Sequence, residues 1–284
     1  MRTEASKAAV LGKPVEHSLS PVLHGAAFAA LGLTGWTYER VEADAEELVT
    51  FASGLGPEWV GLSVTMPGKR AALRFADEVS TRAEAVGAAN TLVHRPGGSW
   101  FADCTDVSGV TGALRGAGGF SGGSSGLVLG AGGTAAASLA AFAELGLTEV
   151  ALAVREPARA TEAVRTAERV GLRVRVDRLD AIALADAVAS HDVVVSTLPA
   201  GALDERAGEL AKARCLLDVV YHPWPTPLAE AVAAEGGRLA TGLDMLLHQA
   251  FGQVEHFTGR PAPREAMRDA LAEATGHPLA GALG

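Results

Sequence analysis

The stretch from Gly126 to Gly146, GLVLGAGGTAAASLAAFAELG, constrains this chain more than any other. Leu127–Leu129 form a short apolar run that reads as a buried strand. Gly130, Gly132 and Ala135 then fall at the positions of a G-x-G-x-x-G/A fingerprint, and an alanine-rich helix runs on to Gly146. The first glycine permits a tight turn, the second lets backbone approach a pyrophosphate, and the small third residue lets helix and strand pack closely. Gly130, Ala131, Gly132, Gly133, Thr134 and Ala135 are therefore the candidate cradle for a dinucleotide. Its pyrophosphate would sit on the helix N-terminus, among N–H groups with no partner inside the helix. A plain strand-to-helix turn also uses glycines, so the pattern alone leaves both readings open.

At 284 residues, 48% of them apolar, the chain is long for one core and has the apolar content for two. Its net charge of −9 argues against nucleic acid or an anionic membrane surface as a partner. Attraction for an anionic ligand must then come from local basic groups. Cys104 and Cys215 are far apart in sequence and make neither a disulfide framework nor a metal ligand pair, which fits a reducing compartment. The opening MRTEASKAAVLG lacks an apolar signal core, so a cytoplasmic place is expected. Gly116–Ala143 carries no charge, but its glycines and serines divide it into loop, strand and helix, which argues against a membrane span.

Ahead of the glycine turn, strands at Ala8–Gly12, Trp36–Val41, whose pattern alternates, and Trp59–Val64 are interleaved with helices. One helix is expected from about Pro21 to Leu31 with Ser20 as its N-cap, and another starts at Pro67-Gly68. Asn90–His94 and Ser99–Ala102 flank the turn RPGG and read as a hairpin, so this part is α/β with a mixed sheet. Beyond a helix over about Asp106–Arg115 the pattern becomes regular. Strands near Glu149–Val154, Arg173–Val176, Asp192–Ser196, Cys215–Val219 and Arg238–Ala240 alternate mostly with helices, as in a doubly wound parallel sheet. The last helix read here, about Leu243–Phe257, carries an apolar stripe of helical period, with Met245 and Gln249 one turn apart on a different face.

Lys69 falls in the first turn of a helix, where the positive end of the macrodipole disfavours a cation. A broken local rule marks a candidate for function, and the same field favours the neutral amine that proton transfer requires. A solvated lysine beside Arg70 is the plainer account. Asp106 opens a helix and reads as an N-cap, or as the carboxylate of a proton-handling pair with a lysine. Ser18 and Ser20 lie two apart in an extended segment, so both hydroxyls can face one side beside a helix start, which suits a carboxylate ligand. Asn90 opens a strand otherwise built from apolar residues, either as a ligand-facing amide or as a turn asparagine. The eight histidines show no ligand spacing, so no metal is expected.

The segments GKPVEHSLSP, SVTMPGK, GAANTL, DCTD, GAGGTA, DVVYHPWPTPL and GLDMLLHQA stand in the order and spacing of the shikimate dehydrogenase family. The chain resembles that family over nearly its whole length. The resemblance implies a mixed-sheet α/β substrate domain over 1–105 plus 243–284 and a Rossmann-like, doubly wound NADP-binding domain over 106–242, facing each other across a cleft. It implies reversible NADP-dependent reduction of 3-dehydroshikimate to shikimate, a step toward chorismate and the aromatic amino acids. By the same resemblance Lys69 is the catalytic lysine and Asp106 its paired aspartate, while Ser18 and Ser20 bind the substrate carboxylate. Thr65, Asn90 and Gln249 would hold hydroxyls, and Tyr221 would lie on the substrate side. Thr197 and Gly242 would join the glycine turn in contacting the cofactor, and Met245 would pack on the nicotinamide. The expected partner is the small substrate alone, with the chain a monomer or homodimer.

Three positions depart from the family pattern. Ser63 stands where the family usually has asparagine, and Cys104 replaces another asparagine before Thr105-Asp106. Val154-Arg155-Glu156 replaces the family's Asn-Arg-Thr, with Arg159 still in place. An acid about 20 residues past the fingerprint normally bonds the ribose of NAD, whereas arginines grip the 2′-phosphate of NADP. Pro157 could open the next helix and turn Glu156 toward it, so two arginines favour NADP, with NAD the alternative. An NAD-preferring quinate/shikimate dehydrogenase and a non-catalytic dinucleotide sensor are the competing readings; Lys69 with Asp106 speaks against the sensor.

Overall fold

The computed structural model describes residues 5–223, 225–277 and 279. They divide into two compact units, one built on the residues up to Thr105 with Leu247–Leu279, the other on Asp106–Leu246. Trp224, inside the DVVYHPWPTPL segment, lies outside the described residues.

In the first unit the chain runs β1 (Lys7–Gly12), α1 (Ser20–Ala30), β2 (Thr37–Glu42), α2 (Ala45–Ser53), β3 (Trp59–Val64) and α3 (Lys69–Phe75). It continues with β4 (Glu78–Val79), α4 (Thr81–Val86), β5 (Thr91–His94) and β6 (Trp100–Asp103). The sheet order is β2-β1-β3-β5-β6-β4. β1 runs parallel to β2 and β3, while β5 is antiparallel to β3 and β6, so the sheet is mixed. β3 is buried along its whole length and β1 beyond Lys7, which is why both read as nearly unbroken apolar runs. β2, at the edge, is exposed except at the half-buried Tyr38 and Val41.

Two helix starts differ from expectation. The N-cap of α1 is Leu19, with no side-chain cap, and Ser20 is already helical with Pro21 in the first turn. The cause is a turn closed by the Ser18 N–H on the Val15 carbonyl at 3.0 Å, which curls the segment expected to be extended. α3 begins at Lys69 behind Gly68, so Pro67 precedes the helix. α2 starts on a capping box: the Asp44 carboxylate accepts the N–H groups of Glu46 and Glu47, and the Glu47 carboxylate accepts that of Asp44.

The second unit runs α5 (Asp106–Arg115), β7 (Ser125–Leu129), α6 (Gly133–Glu144), β8 (Glu149–Val154), α7 (Thr161–Arg169) and β9 (Arg173–Arg178). It goes on through α8 (Leu184–Ser190), β10 (Val193–Ser196), α9 (Ala207–Leu210), β11 (Leu216–Asp218), α10 (Pro227–Ala234) and β12 (Leu239–Thr241). Every strand pair is parallel and the order is β12-β11-β10-β7-β8-β9. The chain winds outward from β7 in one direction and from β10 in the other, so the switch point lies between those two strands. Leu127, Leu129, Ala151 and Val194 from the strands pack with Leu184 and Leu210 from helices in its core.

Two helices follow, α11 (Gly242–Thr258) and α12 (Arg264–Thr275). The division between the units falls inside α11, at Leu246 and Leu247. Leu243, Leu247, Ala250, Phe251, Val254 and Phe257 are buried along it, as the helical period predicts. α12 packs on α1, burying Met267 and Leu271 completely, and the Arg260 Nη1 donates to the Leu31 carbonyl at 2.9 Å. Among the described residues no helix is long and apolar enough to cross a membrane.

Candidate active site

In the mixed-sheet unit the polar candidates stand at the ends of β1, β3 and β6 and on α11. The Thr65 N–H donates to the Leu11 carbonyl at 2.8 Å, and a Cβ at Gly12 would lie 2.2 Å from the Thr65 methyl. Gly12 therefore makes the space in which Thr65 stands. Lys69 is half-buried, and its carbonyl accepts the Ala89 N–H at 3.0 Å, tying the start of α3 to the GAANTL segment. The Ser20 N–H donates to the Ser18 hydroxyl at 3.3 Å, so the two serines are coupled. Arg40 Nε and Nη2 both donate to the Ser18 carbonyl, at 3.0 and 2.7 Å. The Ser20 carbonyl accepts Nδ1 of His24 at 2.9 Å, and the His24 ring stacks on Tyr38 at 4.0 Å. Burial pushes His24 down to about 4, so it stays neutral.

Asn90 is the hub of this unit. Its Oδ1 accepts from the Thr105 N–H at 2.8 Å and the Thr91 hydroxyl at 2.9 Å, and its Nδ2 donates to Thr105 Oγ1 at 3.0 Å and Gln249 Oε1 at 3.2 Å. The structure thus brings Asn90 and Gln249 together, and both are buried. A turn-only asparagine does not account for bonds reaching across the sheet to α11.

Below the hub runs a chain of donors that sequence reasoning missed. Tyr38 donates to Ser63 Oγ at 2.7 Å, Ser63 to Gln253 Oε1 at 2.8 Å, and Gln253 Nε2 to the Asn90 carbonyl and Thr91 Oγ1, each at 3.2 Å. Gln253 lies one turn beyond Gln249 on α11, a spacing that could have pointed to it. A second anchor was also missed: Asp103 accepts from Ser80 at 2.6 Å, the Cys104 N–H at 2.8 Å and His256 Nε2 at 2.8 Å. Burial opposes the charge on Asp103, but these bonds hold its carboxyl below the usual range.

In the parallel-sheet unit the glycine turn stands at the carboxyl end of β7, against β10 at the switch point. Gly130 has φ +111°, and a Cβ there would lie 2.4 Å from Thr197 Oγ1. Thr197 is itself pinned, both its N–H and its hydroxyl donating to the Leu129 carbonyl at 2.9 Å. Glycine is thus required at this position by conformation and by packing. Gly132 and Gly133 differ: among the described residues a Cβ at either meets nothing within 4 Å beyond its chain neighbours and own helix, and the φ of −80° at Gly132 suits any residue. No contact among the described residues requires their smallness, and the room above them is what a pyrophosphate on such a turn requires. Ala131 and Thr134 are half-buried at its mouth, and Ala135 is fully buried beneath it.

Arg155, Glu156 and Arg159 are exposed just past β8. Glu156 is the N-cap of the short Pro157–Ala160 turn but makes no side-chain cap bond, which removes the helix-facing role considered for it. Nearby, at the end of β9, the Arg178 guanidinium grips Asp180 at 2.7 and 3.0 Å. Gly242 has an internal cause: a Cβ there would lie 2.1 Å from the Val219 carbonyl and 2.7 Å from Tyr221 Cδ1. Met245 is buried and Tyr221 half-buried. Asp106 is the first residue of α5 and is buried, placing a carboxylate in the first turn, where the dipole favours it.

A parallel doubly wound sheet with an open glycine turn at its switch point, joined to a mixed-sheet unit rich in buried polar groups, defines the class: a two-unit α/β protein of the dinucleotide-binding kind. The sequence model of the shikimate dehydrogenase substrate binding domain matches residues 10–92, and that of the shikimate 5'-dehydrogenase C-terminal domain matches residues 242–272. A protein of Methylobacterium radiotolerans named shikimate dehydrogenase (NADP(+)) is 36% identical, with 95% of this chain and 98% of that protein covered. The crystal structure of Mycobacterium tuberculosis shikimate dehydrogenase matches at TM-score 0.89 and 56% identity over 94% of this chain and 99% of that one. Thermus thermophilus shikimate 5-dehydrogenase, solved with NADP(H) and shikimate, matches at TM-score 0.79 and 34% identity over 95% and 99%. The chain belongs to the shikimate dehydrogenase family.

Proposed function

We propose that this protein reversibly reduces 3-dehydroshikimate to shikimate with NADP, on the route to chorismate. The observation that carries the reading is the bond between Asn90 and Gln249, residues 159 apart in sequence that the family resemblance assigns to the substrate hydroxyls. Ser18 and Ser20 take the carboxylate, and Thr65 and Asn90 with Gln249 orient the ring. Lys69 gives its proton to the ketone oxygen during reduction and recovers it on oxidation, while Asp106 orients the reacting hydroxyl. Tyr221 borders the substrate. NADP, when bound, supplies or accepts the hydride. Gly130–Ala135 and Thr197 would hold its pyrophosphate side, Gly242 and Met245 its nicotinamide side, and Arg155 with Arg159 the 2′-phosphate.

The substrate domain of this reading is 1–105 plus 243–284 and the NADP domain 106–242. The cytoplasm, as a monomer or homodimer without a nucleic-acid partner, suits two buried thiols and a net charge of −9. The NAD-preferring quinate alternative is not favoured, since curated relatives at 33–36% identity are named for NADP(+). Purified protein assayed with shikimate and quinate, each with NADP and NAD, tests the reading: the highest kcat/KM is expected for shikimate with NADP. Lys69→Ala should lower kcat by roughly 10² to 10⁴ with KM little changed. Near-normal turnover would take Lys69 out of the chemistry.

A further inference from the structure

The net charge of −9 repels an anionic substrate, so the carboxylate subsite needs a local positive charge. None of the residues assigned to that subsite carries one. The edge strand β2 does. Tyr38 and Arg40 are two apart on it and so point to the same face. Both bond beyond their own strand: the Tyr38 hydroxyl donates to Ser63 Oγ, and the Arg40 guanidinium reaches the serine segment, spending two nitrogens on one acceptor, the Ser18 carbonyl.

Two donors on one oxygen fix the plane of the guanidinium as well as its position, which a lysine ammonium cannot do. The acceptor is a neutral carbonyl, so the bonds do not cancel the positive charge. The Ser18 hydroxyl belongs to the same residue as that carbonyl, so the charge is anchored to one of the two residues that would take the carboxylate. Arg40 is exposed and on the sheet edge, where a purely structural arginine gains little.

We propose that Arg40 is a positioning residue of the substrate carboxylate subsite, fixing the Ser18 backbone and holding a permanent positive charge beside the Ser18 and Ser20 hydroxyls. The proposal rests on the reading that those serines take the carboxylate. It is tested by steady-state kinetics of Arg40→Gln, Arg40→Lys and Ser18→Ala with shikimate and with its uncharged methyl ester, at low and high salt. Arg40→Gln should raise KM for shikimate about tenfold at low salt, less at high salt, and leave kcat within about twofold. KM for the ester should not change. Arg40→Lys keeps the charge without the two-donor grip and should fall between wild type and Arg40→Gln. An equal KM rise for acid and ester would make Arg40 a scaffold only, and an unchanged KM for shikimate would remove it altogether. If Ser18→Ala separates acid from ester while Arg40→Gln does not, the Arg40 proposal fails alone. If Ser18→Ala does not separate them, the serine reading fails.

Discussion

In the mixed-sheet unit the candidate site rests on side chains: Asn90 is held by Thr105, Thr91 and Gln249, and beneath it Tyr38, Ser63 and Gln253 pass hydrogen bonds from β2 to α11. In the parallel-sheet unit the site rests on backbone, a turn whose shape comes from Gly130 at φ +111° and whose opening comes from two glycines with nothing against them. The ligands explain the difference. A polyhydroxylated ring must be matched group by group, which calls for many oriented side chains, each locked by another. A pyrophosphate needs N–H groups and room, which a strand, a turn and a helix start already contain.

Removing the hub should break the comparison most sharply. Asn90→Ala strips Thr105, Thr91 and Gln249 of the bonds that Asn90 makes to them in a buried place. It is expected to lower kcat/KM for shikimate by at least 10²-fold and the melting temperature by several degrees, since each stranded polar group costs about 1–3 kcal/mol. NADP affinity by fluorescence titration should not move. Equal loss of NADP binding would show that the two sites are not separately built.

The converse is Gly130→Ala, which meets both the positive φ and the Thr197 hydroxyl. NADP binding should weaken by about tenfold or more, with Kd for shikimate by calorimetry unchanged. Smaller again are Arg155→Ala and Arg159→Ala, each expected to raise KM for NADP by about tenfold and leave that for NAD nearly as it was. A wild type preferring NAD, with Glu156→Ala eroding that preference, would reverse the assignment.

The mildest contrast is in acid. In the mixed-sheet unit, burial pushes His24 and His248 down to about 4, below their unfolded value of 6.5. Their contribution to stability is complete above about pH 6.5 and is lost as pH falls toward 4. In the parallel-sheet unit burial raises Asp218 to about 6 from 3.8, so its contribution is present at low pH and lost as pH rises through 6. Between pH 7 and 4.5 the mixed-sheet unit should therefore lose stability while Asp218 works the other way, each group on the order of 1–3 kcal/mol. Hydrogen exchange resolved by unit measures this. His24→Phe should flatten the loss, and a parallel-sheet unit that opened first would contradict it.

The same contrast decides what could be read without coordinates. The glycine turn, β7 and α6 are consecutive residues, and local propensity and spacing expose them. The mixed and parallel sheets and the stripe on α11 were legible for the same reason. The two-residue β4 and the Asp44–Glu47 box were not noticed, and the Ser20 cap failed because a turn at Val15–Ser18 overrode a good local signal. Ser63 showed itself only as a departure, because its partner Gln253 is 190 residues away. Asp103 and His256 are likewise 153 residues apart. No local pattern encodes such pairs; only the closed sheet does.

Because the units share α11, the mixed-sheet unit is written in two pieces with the whole of the other inserted between them. On a ribosome adding about 5–20 residues per second, the piece ending at Thr105 waits on the order of 10 s for Leu247–Leu279 to be synthesised. Throughout that interval α1 lacks the face of α12, and Asn90 lacks Gln249. The inserted unit, contiguous and built from local β-α crossovers, can finish first. The order in which the two units can be completed thus reverses the order in which they are begun, and the first-made piece is the one a chaperone has most reason to hold.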